Sequence, residues 1–575
     1  MPAPAPLLDV ATAGGFLLVL SLVIPVMGVV LAFAAGGRWI ERIALLTMPL
    51  GLAVAVAIAV SVVESAAPVV YLLGGWTPPL GVALRADGPA AVMLVMTAVV
   101  VGAVGIFAYA DFRTPAGTAE GRAPFAFWLL LLGVWGGLNT VFLSGDLFTL
   151  YVALELLTFA AVPLVCLDGK AETLQAALRY LLFALIGSVL YLIGTALLYG
   201  AYGTLDIVLL SQRVTAGPTT LVAAALMTVG LLAKTALFPL HLWLPPAHAG
   251  APAAASAVLS ALVVKGSFFI VVRLWFFVMP GLPGPAAAQL LGALGAAAIV
   301  VGSLVALQQQ RLKLLIAYST LAQIGYLFLM FPLALEPGTQ QLASGGALAG
   351  GILQAIGHAT AKAAMFMAAG LIYAGLGHDR IADLAGVGRA LPISVLAFAL
   401  GGLALMGAPP SGAYAAKELL LHAAGETGQW WWAVVLNGGA FFTAGYLFLV
   451  LSYALTPPRA PLALRAPVSL TRQLAALGLA LGSLLLGLLS WDGLLPVPDG
   501  LLASPLTLGA FAKLLWPILG GVVLTLLLGR WGERAPRIGL GTAVERADAV
   551  LRQWPVAGLS LLLLVIMFGA AMLAV

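Results

Sequence analysis

Residues 231–252 read LLAKTALFPLHLWLPPAHAGAP, and this stretch decides the architecture. It overlaps an apolar span expected over about 219–243, yet it carries Lys234 followed by Pro239. Proline removes a backbone donor and frees carbonyls, which survives at membrane depth only where protein or water satisfies them. A charge at that depth costs roughly 2.5–3.5 kcal/mol on insertion scales. A second stretch, LMGAPPSGAYAAKELLLH (405–422), sets Pro409 and Pro410 ahead of Lys417. Two Pro/Gly-interrupted apolar spans, each with a buried ionisable group, form the pattern of a membrane transporter with two repeats.

The rest of the chain agrees. Of 575 residues, 62% are apolar and 8% charged, too few to cover a soluble surface. A window of ~19 residues gives about sixteen spans, the first from about residue 12, where a retained span is expected rather than a signal peptide. The predicted fold class is an all-α polytopic membrane protein. Arg38, Arg42, Arg113, Arg122, Lys170, Arg311, Lys313, Arg380, Arg389 and most later arginines, Arg459, Arg534 and Arg537 included, fall on one side. Only Arg85, Arg213 and Lys513 fall on the other, so the net charge of +5 is an orientation signal that places both termini outside. The stretch from Arg534 to Gln553 reads as a short amphipathic segment on the inner interface. Cys166 is the only cysteine, which excludes an intramolecular disulfide and an iron–sulfur cluster held by four thiolates. With no P-loop, no G-x-G-x-x-G and no tight zinc-ligand spacing, no cofactor and no metal are expected, and no basic, aromatic-laced patch points to nucleic acid.

Four of the seven lysines, Lys234, Lys265, Lys362 and Lys417, stand inside apolar spans, while the arginines lie mostly at loops. A desolvated lysine can release its proton and an arginine cannot, so the division points to titratable groups rather than fixed charges. Glu155, in FTLYVALELLTFAAVPL (148–164), is the carboxylate to pair with such a lysine. Asp146, at the edge of the same span, is an interface residue or a helix cap. His358 and Lys362 (QAIGHATAKAAMF, 354–366) share a helix face at i and i+4; the histidine is either a satisfied core residue or a relay beside the lysine. His241 and His248 flank the broken Lys234 span, as members of a hydrated path or as interfacial residues. His378 and His422 carry no clear signal.

These residues make the chain resemble the antiporter-like, proton-conducting membrane subunits of Mrp-type Na+/H+ antiporters, respiratory complex I and membrane-bound hydrogenases. The matching stretches run in order from GGWTPPLGVALRAD (74–87), through residues 148–164, 178–207 and 233–269, to LKLLIAYSTLAQIGY (312–326), HATAKAAMFMAAG (358–370) and GAPPSGAYAAKELL (407–420). The resemblance implies a fourteen-helix core with two inverted five-helix repeats, each holding a broken helix. It also implies a Glu155–Lys234 pair, an onward lysine at Lys265, a contribution from His358 and Lys362, and a terminus at Lys417 rather than at Glu418. Lysine at that last position looks more like the D-type Mrp subunit or the N-type subunit of quinone oxidoreductases. Two departures stand out: two extra spans follow the core, and Pro246 replaces the usual acidic residue of the WLPxAH segment.

The expected division is 1–123 for the first three spans, 124–278 and 279–454 for the two proton-conducting repeats, and 455–575 for the C-terminal helices. The expected role is proton translocation within a multi-subunit cation/proton antiporter of a bacterial-type inner (cytoplasmic) membrane. Its partners would be other membrane subunits, protons, Na+ and the lipid bilayer. The alternative is a proton-pumping subunit of a complex I-type oxidoreductase or membrane-bound hydrogenase. No catalytic or redox site stands in this chain. A structural scaffold and a stand-alone carrier are the remaining readings.

Overall fold

The structure is a computed structural model, and it describes residues 10–115, 121–280, 282–335, 345–458, 462, 464–502, 505–532 and 539–573. Arg459, Arg534 and Arg537 therefore lie outside the described residues.

Among the described residues, fifteen helices are long and apolar enough to cross a membrane. The remaining crossing is split into Pro392–Met406 and Gly412–Glu426. The chain is thus a multi-pass membrane protein. The span Ala253–Val278 is buried along its whole apolar window and forms the centre, whereas Phe16–Ala35, Leu508–Leu527 and Trp554–Leu573 present most of their apolar side chains outward. The two extra C-terminal helices lie against the core: Leu515–Gly532 packs on Trp430–Leu455, and Trp554–Leu573 packs on Pro218–Thr235.

Both broken helices stop by the same local device. Pro218–Thr235 ends where Ala236 turns left-handed (φ 59°), and Pro392–Met406 ends where Gly407 does the same (φ 85°). In each, the next two N–H groups fold back onto carbonyls of the last turn: Ala236 and Leu237 onto Ala233 and Leu232, Gly407 and Ala408 onto Ala404 and Leu403. Orphan carbonyls are satisfied without water in this way. Trp243 Nε1 adds a further donor to the Ala233 carbonyl at 3.0 Å.

Loops are tied together at both ends of the bundle. At one end a hairpin pairs Val69–Leu72 with Ala83–Ala86. Asp87 follows it, caps Gly88–Ala108 through the Ala90 N–H (3.0 Å) and pairs with Arg273 of the central span (2.7 Å to Nη2). Arg273 also lies over Phe269 and Phe277, 4.8 and 4.7 Å from their ring centres. Burial pushes the Asp87 carboxyl up, but the guanidinium outweighs it and holds the group below the ordinary carboxylate range. At the opposite, basic end, Arg311 bridges to Arg380 through the backbone, and Lys313 donates to the Ala251 carbonyl at 2.5 Å.

Within a bilayer, helices associate through close van der Waals fit rather than hydrophobic transfer, so small residues mark the tightest contacts. Ala171–Tyr202 and Pro218–Thr235 touch backbone to backbone at Gly187 and Gly230: a Cβ on Gly187 would stand 2.6 Å from the Gly230 carbonyl oxygen. Gly230→Ala is expected to cost about 1–3 kcal/mol and lower the thermal midpoint by several degrees. Gly200→Ala, whose Cβ meets nothing within 4 Å, should leave the midpoint unchanged or slightly raised. Size-exclusion chromatography after heating reads both, and equal midpoints would refute the close-contact account.

Candidate functional site

Glu155 stands midway along Leu147–Val165. Asp146 takes the cap role at the start of this helix, accepting the N–H groups of Phe148 (3.0 Å) and Thr149 (2.8 Å). Lys234 occupies the last turn before the first break, and its Nζ lies 3.0 Å from Glu155 Oε1. Their side chains are 7% and 15% exposed, so the pair is shielded from solvent on most sides. Ser188, next to the Gly187 contact, hydrogen-bonds both partners: its hydroxyl donates to Glu155 Oε1 and accepts from Lys234 Nζ. The close glycine approach is what brings Ser188 within reach.

The centre holds a second pair. Lys265 Nζ is 2.5 Å from His358 Nδ1 and 2.6 Å from the Ser260 carbonyl oxygen, with both side chains fully buried. That carbonyl belongs to a π-helical stretch, Leu259–Val263, within the central span. Wider π turns occur often at functional sites, because they release a carbonyl from the regular ladder. Thr235, beside Lys234, donates to Ser267 Oγ at 2.9 Å, linking the first break to the central span. Ser260 Oγ lies 2.9 Å from Thr320 Oγ1, and Lys362 Nζ donates to Ser319 Oγ and to the Ile316 carbonyl at 3.3 Å. The AYST motif thus holds Lys362 through Ser319 and meets, through Thr320, the Ser260 whose carbonyl accepts from Lys265. Although His358 and Lys362 share a helix face, they engage different partners.

A separate pair of amides joins the same two helices, Leu312–Phe328 and Gly345–Leu376. Gln354 Nε2 donates to Gln323 Oε1 (2.9 Å), and Gln323 Nε2 donates to Thr443 Oγ1 (3.3 Å). Gln354 and Tyr326 then line a small cavity with Lys417, of about 20 Å3, room for about one water. Glu418 turns away and binds Lys513 at 2.7 and 2.8 Å.

The two histidines past the first break differ in setting. His248 is buried and stacks on Phe366, with ring centres 4.8 Å apart. His241 is also buried and bonds through Nε2 to Asp548 Oδ1 at 2.7 Å. Asp548 belongs to Gly539–Leu551, the amphipathic segment expected on the inner interface; it turns this one carboxylate inward, where it also accepts from Tyr318 (2.7 Å) and Arg552 (2.8 Å). Burial pushes the Asp548 carboxyl up, but these donors outweigh it and hold it below the ordinary range.

Residues 144–443, more than half of the chain, match the family described as NADH:quinone oxidoreductase/Mrp antiporter, TM. The chain belongs to that family. It is 34% identical to NADH-quinone oxidoreductase subunit N of Desulforudis audaxviator, over 70% of this chain and 79% of that one. It is 30% identical to the D subunit of the Na+/H+ antiporter of Alkalihalophilus pseudofirmus, over 62% of this chain and 69% of that one. Its fold superimposes on a chain in the structure of the Mrp complex from Dietzia sp. with a TM-score of 0.73, at 23% identity, covering 89% of this chain and 97% of that one.

In this member of the NADH:quinone oxidoreductase/Mrp antiporter family, all eight residues singled out from the sequence are placed in the interior or at its edge. Glu155 meets Lys234, and Lys265 meets His358, while Lys362 bonds Ser319, His241 bonds Asp548, His248 stacks on Phe366 and Lys417 lines a small cavity. Sequence reasoning missed Ser188, Ser260, Ser319, Thr320, Gln323, Gln354 and Asp548. The two glutamines had a legible signal, as uncharged polar side chains deep in apolar spans.

Removing one partner of a buried ion pair strands the other, whereas removing both does not. Glu155→Gln and Lys234→Met should each destabilise the protein. The double variant should fall short of the summed loss by about 1–3 kcal/mol, the coupling of residues in direct contact. Thermal or denaturant midpoints of the four proteins check this, and additivity within about 0.3 kcal/mol would remove the pair from the account.

Proposed function

We propose that this chain is the proton-translocating subunit of a multi-subunit Mrp-type cation/proton antiporter, carrying protons along a buried line from Glu155 and Lys234 through Lys265, His358 and Lys362 to Lys417. The observation that carries the reading is the pair of side-chain contacts, Glu155–Lys234 and Lys265–His358, between groups that gain and lose protons at a depth where a permanent charge is costly.

Each contact has a chemical use. Ser188 donates to the Glu155 carboxylate while accepting from the Lys234 ammonium. A concerted shift breaks Lys234 N–H and Ser188 O–H as new O–H bonds form on Ser188 and Glu155, leaving two neutral partners. In a poorly screened site the charge of one partner is strongly felt by the other. Lys265 and His358 have one hydrogen between the facing nitrogens. Either the ammonium donates to a neutral imidazole Nδ1, or Nδ1–H donates to a neutral amine, so transfer across that contact needs no large motion. The small cavity at Lys417, with the Gln354 amide to orient a water there, supports onward transfer through that water.

The basic loops support an orientation with that face toward the cytoplasm of a bacterial-type cell and both termini outside. Partner membrane subunits supply the exchanged cation pathway in this reading. A second reading, in which the same line serves a redox-driven complex, is favoured by the 34% identity to a quinone oxidoreductase subunit N.

Everted vesicles containing the chain with its genomic neighbours distinguish the two. Na+-triggered dissipation of a pH gradient, lowered about tenfold or more by Lys234→Ala and by Glu155→Ala, is the expected result. A gradient built only by a redox donor, and lost in both variants, would move the chain to the second reading. Variants as active as wild type in both modes would overturn the proton line itself.

A further inference from the structure

The proton line as described starts inside the protein, and the buried contact between His241 and the C-terminal segment offers it a way out. Asp548 is 2% exposed, although its helix Gly539–Leu551 is otherwise half-buried or exposed where its side chains are described. The carboxylate has three neighbours: His241 from the segment after the first break, Tyr318 from Leu312–Phe328 and Arg552 one turn on. A cavity of about 330 Å3 reaches this same carboxylate, walled by Pro245, Pro246, Gln309, Tyr318, Glu545 and Arg552. It lies at the basic end of the bundle, beside the loop that joins Pro285–Ala306 to Leu312–Phe328.

His241 is the inward link. Its Nε2 faces Asp548, and its Nδ1 is buried with no hydrogen-bond partner among the described residues. Seven residues before it stands Lys234, and one residue after Tyr318 stands Ser319, which holds Lys362. The carboxylate therefore bonds to His241, on the segment that follows Lys234, and to Tyr318, the neighbour of the serine that holds Lys362.

We propose that Asp548 is a further proton-transfer residue, and that the C-terminal amphipathic helix supplies the group through which the buried line exchanges protons with the aqueous cavity at the basic face. This rests on the proton-translocating reading above. In the inward direction, a proton from cavity water binds the carboxylate. The new O–H bond then breaks as Nε2–H forms on a His241 ring whose hydrogen sits on Nδ1, and the Nδ1–H bond breaks as a new O–H bond forms on an interior water. Asp548 returns to a carboxylate, its Oδ1 2.7 Å from Nε2. The outward direction reverses these steps, and the ring's two nitrogens exchange roles in each cycle.

The test uses the full complex in everted vesicles, with flux normalised to assembled complex on native gels. Asp548→Asn keeps the size and the oxygen-acceptor positions in part, but carries no exchangeable acid. It is expected to cut normalised flux about tenfold, while Asp548→Glu keeps half or more and Ala547→Ser, on the exposed side of the helix, matches wild type. Normalised flux within twofold of wild type in Asp548→Asn overturns the proposal. If Asp548→Asn does not assemble, Asp548→Glu decides: assembled and conducting supports the role, assembled and silent overturns it. Failure of both to assemble would make Asp548 a structural bond and also overturn it. Lys234→Ala run in parallel separates the levels, since its loss of flux alongside an active Asp548→Asn rejects this inference and leaves the buried line standing.

Discussion

A polar group carried into the apolar interior of this chain has no bulk water to fall back on, and the rest of the structure is arranged around that constraint. The Glu155–Ser188–Lys234 triple meets it most directly. Three side chains from three helices satisfy one another, and they reach because two glycines let the helices approach to backbone contact. The breaks obey the same constraint. Their free carbonyls are taken by N–H groups of the following residues and, at Ala233, by an indole N–H. The proposed proton line and the fold thus draw on one set of hydrogen bonds.

The fold was legible because hydrophobic windows of membrane length are a strong signal, and nearly every expected span is a helix at its expected place. The span from 391 to 421 was legible as one interrupted crossing, since its prolines follow a glycine that takes a left-handed turn. The ionisable residues were legible by cost, because a lysine at depth demands a reason. The hydroxyls were not. A serine or threonine in an apolar helix is free to bond its own preceding turn, as Thr158 does with the Leu154 carbonyl and Thr195 with that of Tyr191. Nothing in residue type separates those from Ser188 or Ser319, which bond their own preceding turn too but also reach side chains on other helices.

Asp548 was hidden for a different reason. It sits in a charged, amphipathic stretch that reads as surface, and only the packing of Gly539–Leu551 against Pro285–Ala306 and Trp554–Leu573 shows that one of its carboxylates points inward. The acidic residue that the resemblance leads one to expect in the WLPxAH segment is Pro246 here. That proline and Asp548 line the same cavity, so a carboxylate is present there although it arrives from a distant part of the chain.

Tyr318, Ser319 and Thr320 are consecutive, yet they bond to Asp548, Lys362 and Ser260 on three different elements. Successive residues on a helix point about 100° apart, so this single turn reaches three neighbours at once and leaves no alternative register. Inserting or deleting one residue between Leu312 and Tyr318 would turn all three side chains away from their partners together. A change of length is therefore expected to be tolerated only in the loops on either side of Leu312–Phe328, however freely its apolar residues exchange for one another.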